Sequence, residues 1–161
     1  MPTTVSVMAT FVDPTRGLRV ETATGSGFPI SFDTLSRDEG GVAASPTESL
    51  LAALAACTAM DVASILRKKR KVMHAYRIAV TAQKADEHPK VYTSIVVEHQ
   101  VYGDVSAEAL RRAVELSATT YCPVSAMLSA SVPIEHRYRL QRAPDAASEG
   151  DLVVRTGPSA G

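Results

Sequence analysis

Apolar and polar positions alternate along most of this chain, and the alternation gives way to helical spacing in two places. Residues 4–12 (TVSVMATFV), 18–24 (LRVETAT) and 28–32 (FPISF) are rich in β-branched and aromatic side chains. Turn sequences separate them, Asp13-Pro14-Thr15-Arg16-Gly17 and Gly25-Ser26-Gly27. The pattern predicts an N-terminal β-meander, followed by a loop over residues 33–44. Farther on, Tyr76, Ile78, Val80 and Ala82 alternate, as do Val91, Thr93, Ile95, Val97 and Val101. The polar stretch Lys84 to Lys90 between them predicts a long two-stranded hairpin. Val132, Ile134, His136, Tyr138 and Leu140 predict a last strand.

The first helical segment announces its own start. Ser45 is an N-cap residue, Pro46 suits the first helical position, and Glu48 falls where a capping box needs its carboxylate. The helix runs through Leu50, Leu51, Leu54, Cys57, Met60 and Ile65 to about Arg70. From Leu50 to Met60 it has almost no polar face, so it is expected to be covered on every side. A chain of this size has little material for that, and a homodimer is the expected source of the rest. Ser106 caps a second helix carrying Leu110, Val114 and Ser117 on one face. Thr119-Thr120-Tyr121-Cys122-Pro123 interrupts it, and Pro123 opens a short third helix to about Ala130. Residues 143–161 mix Pro, Ala, Ser, Gly and charge and are expected to be a disordered tail, leaving residues 1–142 as one α+β domain.

Composition narrows the function classes. Seventeen Lys and Arg balance seventeen Asp and Glu in 161 residues, and Trp is absent. Neither a basic excess nor stacking platforms point to nucleic acid. The N-terminus has no basic region ahead of an apolar run, and no uninterrupted apolar stretch reaches 18 residues. The expectation is a cytoplasmic protein with neither membrane nor nucleic-acid partner. The four histidines, His74, His88, His99 and His136, show no metal-ligand spacing, so neither metal nor cofactor is expected.

The chemistry falls to two thiols. Cys57 lies mid-helix among alanines, where it reads either as a small hydrophobe or as a nucleophile that needs a cation from elsewhere. Cys122 precedes Pro123 at a helix start, where unpaired N–H groups favour a thiolate. Glu48 sits about two and a half turns before Cys57, off its face, and reads first as the capping carboxylate.

Ser45-Pro46-Thr47-Glu48-Ser49-Leu50-Leu51-Ala52-Ala53-Leu54-Ala55-Ala56-Cys57-Thr58-Ala59-Met60-Asp61 resembles the first cysteine helix of the OsmC/Ohr family, and residues 57–71 with the following hairpin resemble its YhfA-like branch. Leu116 to Val124, with Cys122-Pro123, resembles the family's second cysteine motif. The resemblance spans residues 5–140. It implies an intertwined homodimer with the cysteine helix packed inside. It further implies a thiol-dependent peroxidase acting on organic hydroperoxides and, less well, on hydrogen peroxide. Cys57 would be peroxidatic, Cys122 resolving, and an external dithiol (lipoyl or similar) the reductant. An arginine, Arg16 or Arg19, would hold the Cys57 thiolate, with a glutamate holding the arginine. The family glutamate follows the proline directly; here Thr47 takes that place and Glu48 comes one later, about 100° round the helix. That departure leaves a second reading open, a dimeric redox-responsive or ligand-binding protein without efficient turnover.

Overall fold

The computed structural model describes residues 1–159. The chain is a mixed α+β structure that divides into two compact units, residues 1–50 and 51–161.

The first unit holds the expected meander. Strands β1 (Val7–Phe11), β2 (Val20–Thr24) and β3 (Pro29–Phe32) pair antiparallel in the order β1-β2-β3. Asp33 accepts hydrogen bonds from the N–H groups of Thr34 and Val42, and so organises the loop expected over 33–44. Helix α1 spans Pro46–Lys68 and begins in this unit. Its start is the capping box that the sequence predicts. The Ser45 N–H donates to a Glu48 carboxylate oxygen at 2.8 Å, and the Glu48 N–H donates to the Ser45 hydroxyl at 3.3 Å.

The second unit contains the rest of α1 and a four-stranded sheet. Strands β4 (Val72–Lys84) and β5 (Tyr92–Asp104) form the long antiparallel hairpin. Helices α2 (Ala107–Leu116) and α3 (Pro123–Ser129) cross over to β6 (Ile134–Gln141), which pairs parallel to β5. The joint between the two helices is one turn of π-helix, Ser117–Tyr121. Such a bulge takes an extra residue into the turn and re-aims the chain beyond it. Helix α1 ends because Arg70 turns left-handed at φ 55°. The Lys71 N–H then reaches back to the Leu66 carbonyl and the Arg70 N–H to that of Arg67, which satisfies two terminal acceptors.

One expectation needs correction. The stretch 143–161 is not a disordered tail over its described part: Glu149–Thr156 form strand β7, antiparallel to β6. Leu152, Val153 and Val154 supply enough apolar, β-branched surface for a strand, which the surrounding Gly and charge mask in the sequence. Residues 160–161 of that stretch lie outside the described residues. Helix α1 is not covered all round by its own chain, the shortage of cover that its sequence implies. Its buried residues are Leu54, Thr58, Val62 and Leu66, a single stripe at four-residue spacing. Met60 stays 71% exposed. By length and composition alone α1 could also cross a membrane; its stripe instead packs into the core of the second unit.

That core has two apolar clusters. One gathers Val62, Leu66, Val101, Leu110, Val114 and Leu140. The other gathers Leu54, Ile95, Val97, Cys122, Val132 and Ile134. Each fully buried aliphatic side chain contributes about 1.5–3 kcal/mol. Between the clusters run fully buried polar residues: Thr58 on α1, Ser117 at the π turn, His99 on β5 and His136 on β6.

Candidate functional site

The π turn and α1 together place the thiols. The Cys122 N–H closes the π turn on the Ser117 carbonyl at 2.9 Å, and Cys122 then caps α3. Its sulfur accepts the Ser125 N–H at 3.3 Å. Cys57 packs against the cluster that contains Cys122 and is a close enough neighbour to raise the Cys122 thiol's pKa. Both cysteines are free; Cys122 is buried and Cys57 only half-buried. The sequence therefore names two thiols, 65 residues apart, that the fold brings together.

The acidity of Cys122 departs from the sequence reading. Position at a helix start favours Cys122 as the thiolate, and the Ser125 N–H does lower its pKa. Desolvation outweighs that bond. With Cys57 and Asp61 adding to the push, the Cys122 thiol is raised to about 11. A buried sulfur with its partner thiol beside it and a carboxylate nearby resists ionisation. Cys122 is thus a protonated thiol at neutral pH.

Arg16, Arg19 and Glu48 lie in the first unit. Arg19 donates through Nε and Nη2 to a Glu21 carboxylate oxygen, at 3.2 and 2.9 Å. Glu21 is held low in pKa by the Ser31 hydroxyl and by Arg19. Arg16 stands in the turn after Asp13, its N–H bonded to the Asp13 carbonyl. Glu48 closes the capping box with Ser45.

Sequence reasoning missed the polar groups around the thiols. Asp61 lies one turn beyond Cys57 on α1 and accepts the Ser117 hydroxyl at 2.9 Å. That hydroxyl has one proton, so the Thr58 hydroxyl donates to it at 2.8 Å. On the sheet, the Tyr76 hydroxyl and His99 Nδ1 share a bond of 2.6 Å, and His136 Nε2 bonds the Thr156 hydroxyl at 3.2 Å. His99 Nε2, His136 Nδ1 and the Ser125 hydroxyl are buried without a protein partner. Burial holds both imidazoles neutral, with pKa values down at about 3 for His99 and about 4 for His136; His136 adds to the depression at His99. The signal for both rings is present in the strand alternation, which places them at inward positions. Among the described residues no group of three or more His, Cys, Asp and Glu could hold a metal.

The comparisons with known proteins agree with this architecture. The family model described as OsmC-like protein matches residues 38–137. Protein YhfA of Escherichia coli strain K12 is 38% identical over 125 residues, covering 77% of this chain and 91% of that protein. A hypothetical protein from Aquifex aeolicus VF5 has a similar structure, with a TM-score of 0.76 at 25% identity over 88% of this chain and 99% of that one. An organic hydroperoxide resistance protein OsmC from Legionella pneumophila shares the fold, with a TM-score of 0.61 at 15% identity over 86% and 97% of the two chains.

Proposed function

The chain belongs to the OsmC-like family, and from that premise we propose that it is a thiol-dependent peroxidase that reduces organic hydroperoxides and, less well, hydrogen peroxide. One observation carries the reading: a half-buried Cys57 packs against the same apolar cluster as a buried Cys122. Cys57 is the more accessible sulfur and attacks the distal peroxide oxygen. Its electron pair forms the S–O bond, the O–O bond breaks, and the alkoxide leaves as an alcohol after taking a proton. Cys57 is left as a sulfenic acid. Cys122 then condenses with it to a disulfide, and an external dithiol, lipoyl or similar, reduces the pair. Arg16 or Arg19 supplies the cation for the Cys57 thiolate. In the case of Arg19 the carboxylate that holds it is Glu21, while Glu48 caps α1 through Ser45.

Thr47 at the place of the family glutamate, with Glu48 in the helix cap, is the observation favouring the second reading, a redox-responsive or ligand-binding dimer with slow turnover. Intact-mass spectrometry separates the two. The reduced protein is mixed with one equivalent of cumene hydroperoxide and quenched within seconds. The expected result is a loss of about two mass units with a Cys57–Cys122 linked peptide. An unchanged mass supports the second reading.

A homodimer belongs to the same proposal. The exposed side of α1, with Met60 71% exposed, and exposed Tyr121 and Met127 at 57% and 68% leave apolar surface that a second copy would cover. Light scattering at micromolar concentration is expected to give twice the 17.1 kDa chain mass. A monomer would remove the dimer from the proposal.

A further inference from the structure

The outer face of the four-stranded sheet carries charged groups that the thiol chemistry does not use. Val101 and Leu140 point into the core with α1 and α2, so Gln100 and Arg139, one residue before each, point to the opposite face. Register sets Arg77 of β4, Gln100 of β5 and Arg139 of β6 side by side in one row. Ala75, Tyr102 and Gln141 form the next. A cleft of about 400 Å³ opens over these two rows, a volume that suits a small ligand. It stays open because Ala75 is small and because Gly150, opposite Arg139 on β7, brings no side chain.

Hydrogen bonds hold the first row in place. Gln100 Oε1 accepts Arg77 Nε at 2.8 Å, and Gln100 Nε2 donates to Glu98 Oε1 at 2.8 Å. Arg139 Nε donates to the same Glu98 oxygen at 3.2 Å. Each guanidinium is thus engaged through Nε, and its two terminal nitrogens have no partner among the described residues. The charge is unbalanced as well. Arg137 and Arg155 on the same sheet both pair with Glu135, whereas Arg77 has no acidic partner among the described residues. No Asp or Glu among the described residues lines the cleft. Tyr102 forms part of its wall, with the His74 ring 5.4 Å away. Gln141 Nε2 donates to the Pro144 and Ala146 carbonyls, which draws in the loop whose Ser148 stands at the rim.

We propose that this cleft binds a small phosphate ester bearing a planar ring, its phosphoryl group between Arg77 and Arg139 and its ring over Tyr102. A guanidinium fork matches pairs of phosphate oxygens. Two strand spacings put the Arg77 and Arg139 Cα atoms about 10 Å apart, a gap that two arginine side chains close from either side. A carboxylate's two oxygens would occupy one fork; a phosphoryl group's three terminal oxygens serve both. Gln100, neutral at the centre of the row, sets no fixed negative charge against the anion. Glu98 stands one row behind and takes the Nε edge of Arg139, which leaves the terminal nitrogens for the cleft. The site lies across the sheet from the thiols, so it stands or falls independently of the peroxidase reading.

Isothermal titration calorimetry on the full chain tests this, with adenosine 5′-monophosphate as the probe and adenosine, glucose 6-phosphate and inorganic phosphate as comparisons. The nucleotide is expected to bind once per chain. Glucose 6-phosphate and inorganic phosphate should bind more weakly, for want of the ring, and adenosine more weakly still. Arg77→Gln and Arg139→Gln should each weaken nucleotide binding about 10- to 100-fold, the scale of a lost hydrogen bond to a charged group. Arg77→Lys, which keeps the charge and loses the fork, should recover only part of that. Arg137→Gln, on the same face but outside the cleft, should leave the affinity unchanged. Equal weakening in Arg137→Gln and Arg77→Gln would mean diffuse attraction to a basic surface and would overturn the site. Adenosine binding as tightly as its monophosphate would overturn the phosphoryl contact, and inorganic phosphate binding as tightly would overturn the seat over Tyr102. No heat from nucleotide or sugar phosphate at millimolar concentration would overturn the proposal altogether.

Discussion

Cys57→Ser protein is expected to consume organic hydroperoxide at the uncatalysed rate, a loss on the order of 10⁴-fold or more, as removal of a covalent nucleophile entails. A serine hydroxyl is not ionised at neutral pH, and its oxygen cannot accept the peroxide oxygen to give a counterpart of the sulfenic acid. The substitution is nearly isosteric at a half-buried position, so circular dichroism and thermal stability should scarcely change. Cys122→Ser should behave differently. It keeps the attacking sulfur and loses the one that closes the cycle, so one equivalent of peroxide is consumed quickly and turnover then stops. Excess peroxide would carry Cys57 on to the sulfinic acid, a gain of two oxygens by mass. Peroxide consumption with a dithiol reductant, measured for the unmodified protein and both variants, checks the pair. Equal rates for the unmodified protein and Cys57→Ser would exclude the proposed chemistry. Full turnover by Cys122→Ser would show that reductant reaches the Cys57 sulfenic acid directly.

The second large effect is on stability. His99 and His136 are fully buried, and their pKa values lie at about 3 and about 4, below the ordinary 6.5. The unfolded chain binds a proton at each ring near pH 6.5, where the folded chain does not. Stability from these two groups is therefore complete above about pH 6.5 and is lost as pH falls from there toward 4 and then 3. With both rings protonated only in the unfolded state, the slope approaches about 3 kcal/mol per pH unit. A domain stable by about 5–15 kcal/mol cannot withstand much of that range. Urea midpoints across pH 7.5 to 4.5 should fall steeply below about 6.5. The fall should become shallower in His136→Asn, which removes one titrating ring and keeps polar atoms toward Thr156. A flat profile from pH 7 to pH 5 would mean that the rings are hydrated or protonated in the folded protein.

Much of this structure can be read from local pattern. The Ser45–Glu48 capping box, the meander turns, the long hairpin and the Cys122-Pro123 helix start all depend on neighbours in sequence, and all are found. The pairing of Cys57 with Cys122 rests on resemblance at the level of sequence, because nothing local joins residues 65 apart. The features that escape a sequence reading depend on contacts between distant segments. Strand β7 is stabilised by β6, and its composition alone reads as loop. Asp61 looks like an ordinary polar residue on an alanine-rich helix until Ser117 arrives from the π turn. The acidity of Cys122 is misread from sequence because a helix start is visible there while desolvation by Leu54, Val97 and Ile134 is not. The apolar face of α1 is legible, and so is the shortage of cover for it within one chain.

The polar layer between the two apolar clusters bears on how β5 and β6 find their outer neighbours in the sheet, β4 and β7. Both strands alternate apolar residues inward, Ile95, Val97 and Val101 on one and Ile134, Tyr138 and Leu140 on the other. A slip of one residue would turn Glu98 and Arg137 inward and is forbidden by charge. A slip of two keeps every face correct, so apolar packing alone discriminates weakly against it. His99 and His136 remove that degeneracy. Each interrupts its apolar run once, and each has a partner at a fixed height, Tyr76 on β4 and Thr156 on β7. Sliding β4 by two residues against β5, or β7 against β6, would carry the hydroxyl away from its imidazole and leave a buried ring nitrogen without that bond. The layer weakens the core to acid, and in return it marks one sheet alignment out of several that hydrophobicity would accept.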